Sequence, residues 1–226
     1  MGVAVNENFV LDKFTAINFL INDSGRRILL NDVSWKEYEM FLADFEEKSG
    51  WRLAYDEGKL EIMPPTYEHE YDSFSFGYFI SAYCEEFEIE FVGAGSTTLR
   101  RAMLNKGVEP DECFYIQNAD KVIGKIKSLD SQNYPMPDVV VEIDVTTDSL
   151  DKFPIYSALK VPEVWIYNGK KVTFNKLKGK KYHQISHSVA LPLLSAEKLT
   201  EFLKLSQEKG QTFALKSFRQ YLNGLT

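Results

Sequence analysis

The run Val139-Val140-Val141-Glu142-Ile143-Asp144-Val145, opened by Pro137-Asp138, limits what this chain can fold into more than any other stretch. Its β-branched residues favour a strand, and apolar side chains at both parities give it the character of a central strand, covered on both faces. A glutamate buried there as an unpaired ion would cost several kcal/mol, so Glu142 needs a partner, a metal or solvent. The competing reading is an edge strand with one wet face, along which Glu142 and Asp144 alternate outward. Asp138 lies on the same face by the period of two, or caps the strand entrance.

Around this run the periodicities alternate between strand and helix. Ser34 and Glu37 form a capping box for a helix over 34–48, with Tyr38, Phe41, Leu42 and Phe45 at helical spacing and Gly50 ending it. Residues 51–55 and 59–63 flank Asp56-Glu57-Gly58 as a hairpin closed by Pro64-Pro65, and a core helix follows over 68–87. Short strands are expected over 89–93, 97–101 and 112–116, with 16–21 and 27–30 as two further ones. A polar loop holding at most one helical turn covers 117–134. The central strand, 138–145, leads into a helix over 150–159, a meander over 164–167, 171–177 and 181–186, and two final helices over 195–207 and 212–222. Mixed strands with helices on their flanks indicate an α+β or α/β three-layer domain, with Trp165 and Tyr167 in its core.

With 226 residues, 44% hydrophobic and 14% aromatic, the chain can bury one sizeable core, and a single domain over 1–226 is expected. Two cysteines in unrelated contexts, Cys84 and Cys113, exclude a disulfide framework and a CxxC zinc site, which fits a reducing cytoplasm. Residues 1–9 lack the pattern of a signal peptide, and no stretch approaches the roughly 20 apolar residues of a membrane span. A net charge of −7 counts against indiscriminate binding to nucleic acid, yet 169–192 contains no Asp or Glu, and Lys170, Lys171, Lys176, Lys178, Lys180 and Lys181 fall within it. These lysines either protect an exposed edge hairpin or contact a DNA backbone. The three histidines have no HExxH spacing, and GxSxG, Walker A and strand-linked GxGxxG patterns are absent.

What remains is acidic. Glu109-Pro110-Asp111 and Pro137-Asp138 to Glu142 put carboxylates on two strands, with Lys152 following. Two carboxylates can hold a divalent cation that polarises a phosphate, and a lysine can stabilise the charge that develops, which is the equipment of a metal-dependent phosphodiesterase. The segment from Pro137 to Tyr167 resembles the signature of the Uma-two family, restriction-endonuclease-like proteins within the PD-(D/E)xK nuclease superfamily. The stretches 53–65, Glu68-His69-Glu70 and Glu109-Pro110-Asp111 resemble the family's hairpin, helix start and first acidic strand, so the likeness spans roughly 34–174.

The resemblance implies a restriction-endonuclease-like core over about 34–186, built on a mixed central sheet flanked by helices, with an N-terminal β-hairpin and a C-terminal helical segment over about 195–223. It implies catalysis by Asp111, Glu142 and Lys152, with Mg²⁺ or Mn²⁺ held by Asp111, Glu142 and the carbonyl of Ile143. The superfamily's usual lysine position is taken by Asp144, and Lys152 matches the lysine this family carries on the following helix. Asp144 is then a third carboxylate, an outer partner or a mate for Lys152, and His69 or Glu70 completes the site or simply opens its helix. Where the family often carries a strand glutamate before Gly58, this chain has Ala54. DNA is the implied substrate, with Lys170, Lys171, Lys178, Lys180 and Lys181 as backbone contacts. A homodimer fits symmetric cleavage and apolar surface left by Val161-Pro162 and the last helices. A catalytically silent binding or assembly module, and a metal-dependent hydrolase of RNA or nucleotides, are the two rival readings.

Overall fold

A computed structural model describes residues 27–46, 51–64, 66–125, 134–143 and 149–225. The strands are β1 (Ile28–Leu30), β2 (Arg52–Asp56), β3 (Lys59–Met63), β4 (Val92–Gly93), β5 (Leu99–Arg101), β6 (Lys106–Val108), β7 (Glu112–Tyr115), β8 (Val139–Ile143), β9 (Glu163–Tyr167), β10 (Val172–Lys178) and β11 (Lys181–Ile185). The helices are α1 (Trp35–Glu46), α2 (Tyr67–Glu86), α3 (Ala119–Val122), α4 (Phe153–Leu159), α5 (Ala196–Lys209) and α6 (Gln211–Asn223), with a 3₁₀ turn at Ala102–Leu104. The fold is α+β. The expected strand over 16–21, the helix end at Gly50 and the residues after Ile143 in the central run lie outside the described residues.

Two sheets carry the strands. One has the order β1-β3-β2-β6-β5, and the other has the order β11-β10-β9-β8-β7-β4. All pairings in the second are antiparallel except β8 with β9, which the crossover through α4 makes parallel. The expected N-terminal hairpin, β2 with β3, is thus the middle of a sheet of its own. The strand β6 was not anticipated; Asn105, in the left-handed region at φ 49°, turns the chain into it.

β8 sits in the interior of its sheet, and its five residues are all buried. This excludes the edge-strand reading of Glu142. Its two faces serve different layers. Val139, Val141 and Ile143 pack with Phe76, Phe79, Trp165, Leu203 and Phe218 into a core shared with α2, α5 and α6. Val140, on the opposite face, packs with Ile155, Tyr156 and Leu159 of α4 and with Ala54, Leu99 and Val108 of the first sheet. Burying each such aliphatic side chain contributes about 1.5–3 kcal/mol, so the alternation firmly sets which way Glu142 points. The far side of the first sheet is closed by Tyr38, Phe41 and Phe45 of α1 against Leu53, Tyr55, Leu60 and Ile62. The capping box forms as expected: Ser34 donates its N–H to Glu37 Oε2 at 2.7 Å, and Glu37 donates its N–H to Ser34 Oγ at 3.3 Å.

Two expectations change. The helix after the central strand begins at Phe153 rather than near 150, making Pro154 its second residue, where a missing N–H leaves no helical bond unmade. The apolar surface expected at Val161-Pro162 shrinks to Pro162, because Val161 is fully buried under Tyr182, whose hydroxyl donates to its carbonyl at 2.7 Å, while the last helix exposes Phe213.

Candidate active site

Register brings the two carboxylates together. β7 pairs antiparallel with β8 through Glu112 opposite Val141, so Asp111 stands one step further on, opposite Glu142. Asp111 donates its N–H to the Val141 carbonyl at 3.2 Å and accepts the Ile143 N–H on Oδ2 at 2.7 Å. From α2, Ser73 donates to the Asp111 carbonyl at 3.2 Å. Asp111 is therefore clamped by β8 and α2 although it precedes its own strand.

Glu142 takes its partners from the next stretch of chain. Lys152 Nζ donates to Glu142 Oε2 at 2.6 Å, and the Tyr156 hydroxyl donates to Oε1. Lys152 stands at the N-cap of α4 rather than within it, and its carbonyl accepts the Tyr156 N–H at 3.0 Å. One helical turn thus delivers both groups to one carboxylate. Lys152 and Glu142, which the sequence places ten residues apart, are in contact. Tyr156 escaped the sequence reading; its spacing of four from Lys152 on a helix start was the available signal.

Burial, with the Asp111 charge adding to it and Lys152 opposing, pushes Glu142 up to about 7. Burial acts the same way on Asp111, but His69, Lys152 and the Ile143 N–H outweigh it and hold that carboxyl below its usual range. The two carboxyls thus diverge, as in sites where neighbouring acids take different roles. Lys152 loses by burial and gains more from Glu142, Asp111 and Glu61, so its ammonium is held above the ordinary lysine value. Burial and the adjacent Glu142 push the Tyr156 phenol well above its usual range, which keeps it a donor.

His69 Nδ1 lies 3.8 Å from Asp111 Oδ1, and Arg52 Nε lies 3.9 Å from the same oxygen. Both distances exceed a hydrogen bond, and both nitrogens are buried without a hydrogen-bond partner among the described residues. Among the described residues, Glu70 approaches the site through Arg52 Nη2, at 3.4 Å. Thr66 caps α2 by accepting the His69 N–H at 3.3 Å, so the helix start orients His69 toward Asp111. Asp144 lies outside the described residues.

A further carboxylate, unforeseen, belongs to this region. Ala54 is paired across the hairpin with Glu61, which is only 1% exposed. The N-terminal sheet thus does carry a buried acid, on the strand after the turn instead of the strand before it. Glu61 Oε2 accepts the Leu150 N–H at 2.8 Å and lies 3.4 Å from Arg27 Nη1. Its one available signal was an acid inside Leu60-Glu61-Ile62-Met63, which also reads as a strand with one wet position. A cavity of about 260 Å³ adjoins the site, lined by Arg27, Met63, Glu142, Lys152, Phe153 and Tyr156 among others.

The lysine cluster divides. Lys170 and Lys171 follow β9 at the end of the sheet where Ile143 lies, since Ile143 is level with Tyr167 and Tyr167 with Val172. Lys178, Lys180 and Lys181 sit at the opposite end of β10, where the Lys180 carbonyl accepts the Ser157 hydroxyl at 2.8 Å. All five are exposed, but they do not form one continuous basic patch.

Asp138 serves the strand entrance. Its carboxylate accepts the Ile116 N–H at 2.8 Å, the Asn118 N–H at 2.9 Å and Asn118 Nδ2 at 2.6 Å. Asp138→Ala strands a buried amide and should cost about 3 kcal/mol of stability. Urea unfolding checks this, and calorimetry should show metal affinity unchanged; weaker metal binding would make Asp138 a ligand instead.

Among the described residues, no group of three or more His, Cys, Asp and Glu side chains is arranged to hold a metal ion. Two hard carboxylates and a backbone carbonyl are nevertheless the sparse set that Mg²⁺ accepts, its remaining positions being filled by water and phosphate. The Asp111 charge raises the carboxyl of Glu142, a mutual repulsion of the kind a cation offsets, while the Arg52 guanidinium 3.9 Å from Asp111 Oδ1 already supplies part of that positive charge. Asp111, Glu142 and the carbonyl of Ile143 are donors of the type that Mg²⁺ takes.

The sequence model of Uma2, described as "Putative restriction endonuclease", matches residues 35–207. Among solved structures, the chain is similar to one described as a "putative nuclease belonging to DUF820" from Anabaena variabilis, at 15% identity and a TM-score of 0.42, covering 67% of this chain and 90% of that one. No curated protein matches the chain. With the family match running from the first residue of α1 into α5, the chain belongs to the Uma2 family of restriction-endonuclease-like proteins.

Proposed function

We propose that this protein is a Mg²⁺-dependent endodeoxyribonuclease of the PD-(D/E)xK type, with Mn²⁺ able to substitute. The observation that carries the reading is the meeting of β7, β8 and the start of α4: Ile143 N to Asp111 Oδ2 at 2.7 Å and Lys152 Nζ to Glu142 Oε2 at 2.6 Å. Asp111 and Glu142, with the Ile143 carbonyl, would hold the ion. When bound, Mg²⁺ supplies Lewis-acid polarisation of the phosphate and a more acidic water.

The remaining work belongs to the chain. Tyr156 keeps one oxygen of Glu142 fixed, while Lys152 exchanges part of its contact with Glu142 for the attacking water or the phosphate. Asp111, held ionised, keeps its charge throughout. Water attacks phosphorus in line and gives its proton to solvent, and the P–O bond to the leaving oxygen breaks as that oxygen takes a proton from solvent. Lys170 and Lys171 are placed to meet the DNA backbone at this end of the sheet. Cutting both strands of a duplex calls for two such sites, which a homodimer supplies.

A silent binding module is the second reading, favoured by the engagement of both Glu142 oxygens by Lys152 and Tyr156. Incubation of the purified protein with plasmid, linear duplex and RNA, with Mg²⁺ or Mn²⁺, tests the choice. Cleavage of DNA that stops on chelation is the expected result. Metal binding without cleavage of any nucleic acid would favour the silent module, and preferential cleavage of RNA would change the substrate.

A further inference from the structure

Lys152 meets Glu142 from ten residues along the chain, and although its carbonyl accepts the Tyr156 N–H at the N-cap of α4, the residues that lead into it belong to no helix or strand. Residues 149–152 have no regular secondary structure, and α4 begins only at Phe153. Contacts from outside the segment can therefore set the path of its first residues. The Asp151 carboxylate accepts the Phe153 N–H at 3.0 Å, which shapes the helix entrance but is local to it. A long-range hold among the described residues is the Leu150 N–H, donated to Glu61 Oε2 at 2.8 Å across a sequence separation of 89.

Glu61 is suited to that task. β3 turns Leu60 and Ile62 toward α1, which sends Glu61 to the opposite face, toward the layer of α4. The residue is 1% exposed, and Arg27 lies 3.4 Å from the carboxylate oxygen that accepts Leu150. A buried carboxylate is costly unless paired and hydrogen-bonded, and here the pairing is used to tie one sheet to the segment that crosses the other.

The geometry points to Glu61 as a positioning residue: its carboxylate, reaching from the N-terminal sheet, fixes Leu150 and so holds Lys152 against Glu142. This rests on the nuclease reading only for its effect on rate; the effect on the placement of Lys152 stands without it. Near-attack geometry is steep, and a displacement of about 1 Å can lower a rate about 10²-fold.

Reach and charge are separated by two variants. Glu61→Gln keeps the side-chain length and an acceptor oxygen, whereas Glu61→Asp keeps the charge and withdraws the acceptor by one methylene. Acetylation by an N-hydroxysuccinimide ester, followed by peptide mass spectrometry, reads the accessibility of Lys152 against exposed Lys170 in the full chain. The expected result is that Asp raises labelling of Lys152 severalfold and lowers kcat about 10²-fold at unchanged KM. Gln should leave both near wild type. Unchanged Lys152 labelling in the Asp variant overturns the inference, as does a Gln variant that labels like Asp, because charge rather than reach would then matter. If the wild type cuts no nucleic acid while Asp still exposes Lys152, the nuclease reading falls and the positioning role stands.

Discussion

Asp111→Asn should lower metal-dependent cleavage about 10³-fold, equivalent to about 4 kcal/mol of transition-state stabilisation, while the protein stays folded. The asparagine oxygen can still accept the Ile143 N–H that joins β7 to β8, so the junction survives. What disappears is the negative charge shared among His69, Arg52 and Lys152. Single-turnover cleavage and calorimetric titration with Mn²⁺ measure the two consequences, and circular dichroism checks the fold. A variant that cuts at the wild-type rate would remove Asp111 from the machinery.

Glu142 makes the second large effect visible without any substrate. Its carboxyl is raised from 4.5 to about 7 in the folded protein. A folded-state value above the unfolded one means that the folded chain binds the proton more tightly. Stability from this group is therefore full below about 4.5 and is lost as pH rises through about 7. At about 1.4 kcal/mol per pH unit, the loss comes to about 3 kcal/mol. Glu142→Gln cannot titrate, so the unfolding free energy of the wild type relative to this variant should fall by that amount between pH 4.5 and pH 8. Using the difference cancels the other acids that burial raises, among them Asp72, Glu109 and Glu112. Parallel pH curves would show that Glu142 is not strained. Mg²⁺ at pH 8 should recover stability in the wild type and not in Glu142→Gln, since a ligand stabilises only the state that binds it.

Much of this architecture is legible in short-range pattern. The capping box at Ser34 and Glu37, the turn at Glu57-Gly58 and the β-branched run of β8 each state their structure within a few residues, because the physics that decides them is local. Glu142 stood out for a related reason, since a charge within a covered strand needs a partner, whereas Asp111 stood out through the resemblance of Glu109-Pro110-Asp111. The burial of Glu61 was not legible, because a strand reading Lys-Leu-Glu-Ile-Met has the same pattern whether its polar face meets water or a second layer. Only the stacking of the two sheets through α4 decides that. The basic cluster failed for the opposite reason. Lysines close in sequence look like one patch, but an extended strand such as β10 rises about 3.3 Å per residue and carries its two ends roughly 20 Å apart.

The division of β8 into two faces has a consequence for how the chain finds its pairing. Sliding β8 by one residue against β7 or β9 would turn Glu142 into the layer of Phe76 and Trp165, away from both Lys152 and Tyr156, and would aim Val141 and Ile143 at the polar site. A carboxyl group there would cost several kcal/mol, enough to empty the shifted state. Glu142 therefore acts as a checkpoint on assembly: a sheet joined out of step is disfavoured by the same charge that the correctly joined sheet needs. An apolar replacement at Glu142 would silence the site and also remove the penalty for mispairing, so that such a variant should refold with more misaligned, aggregation-prone intermediates than Glu142→Gln, which keeps the polarity.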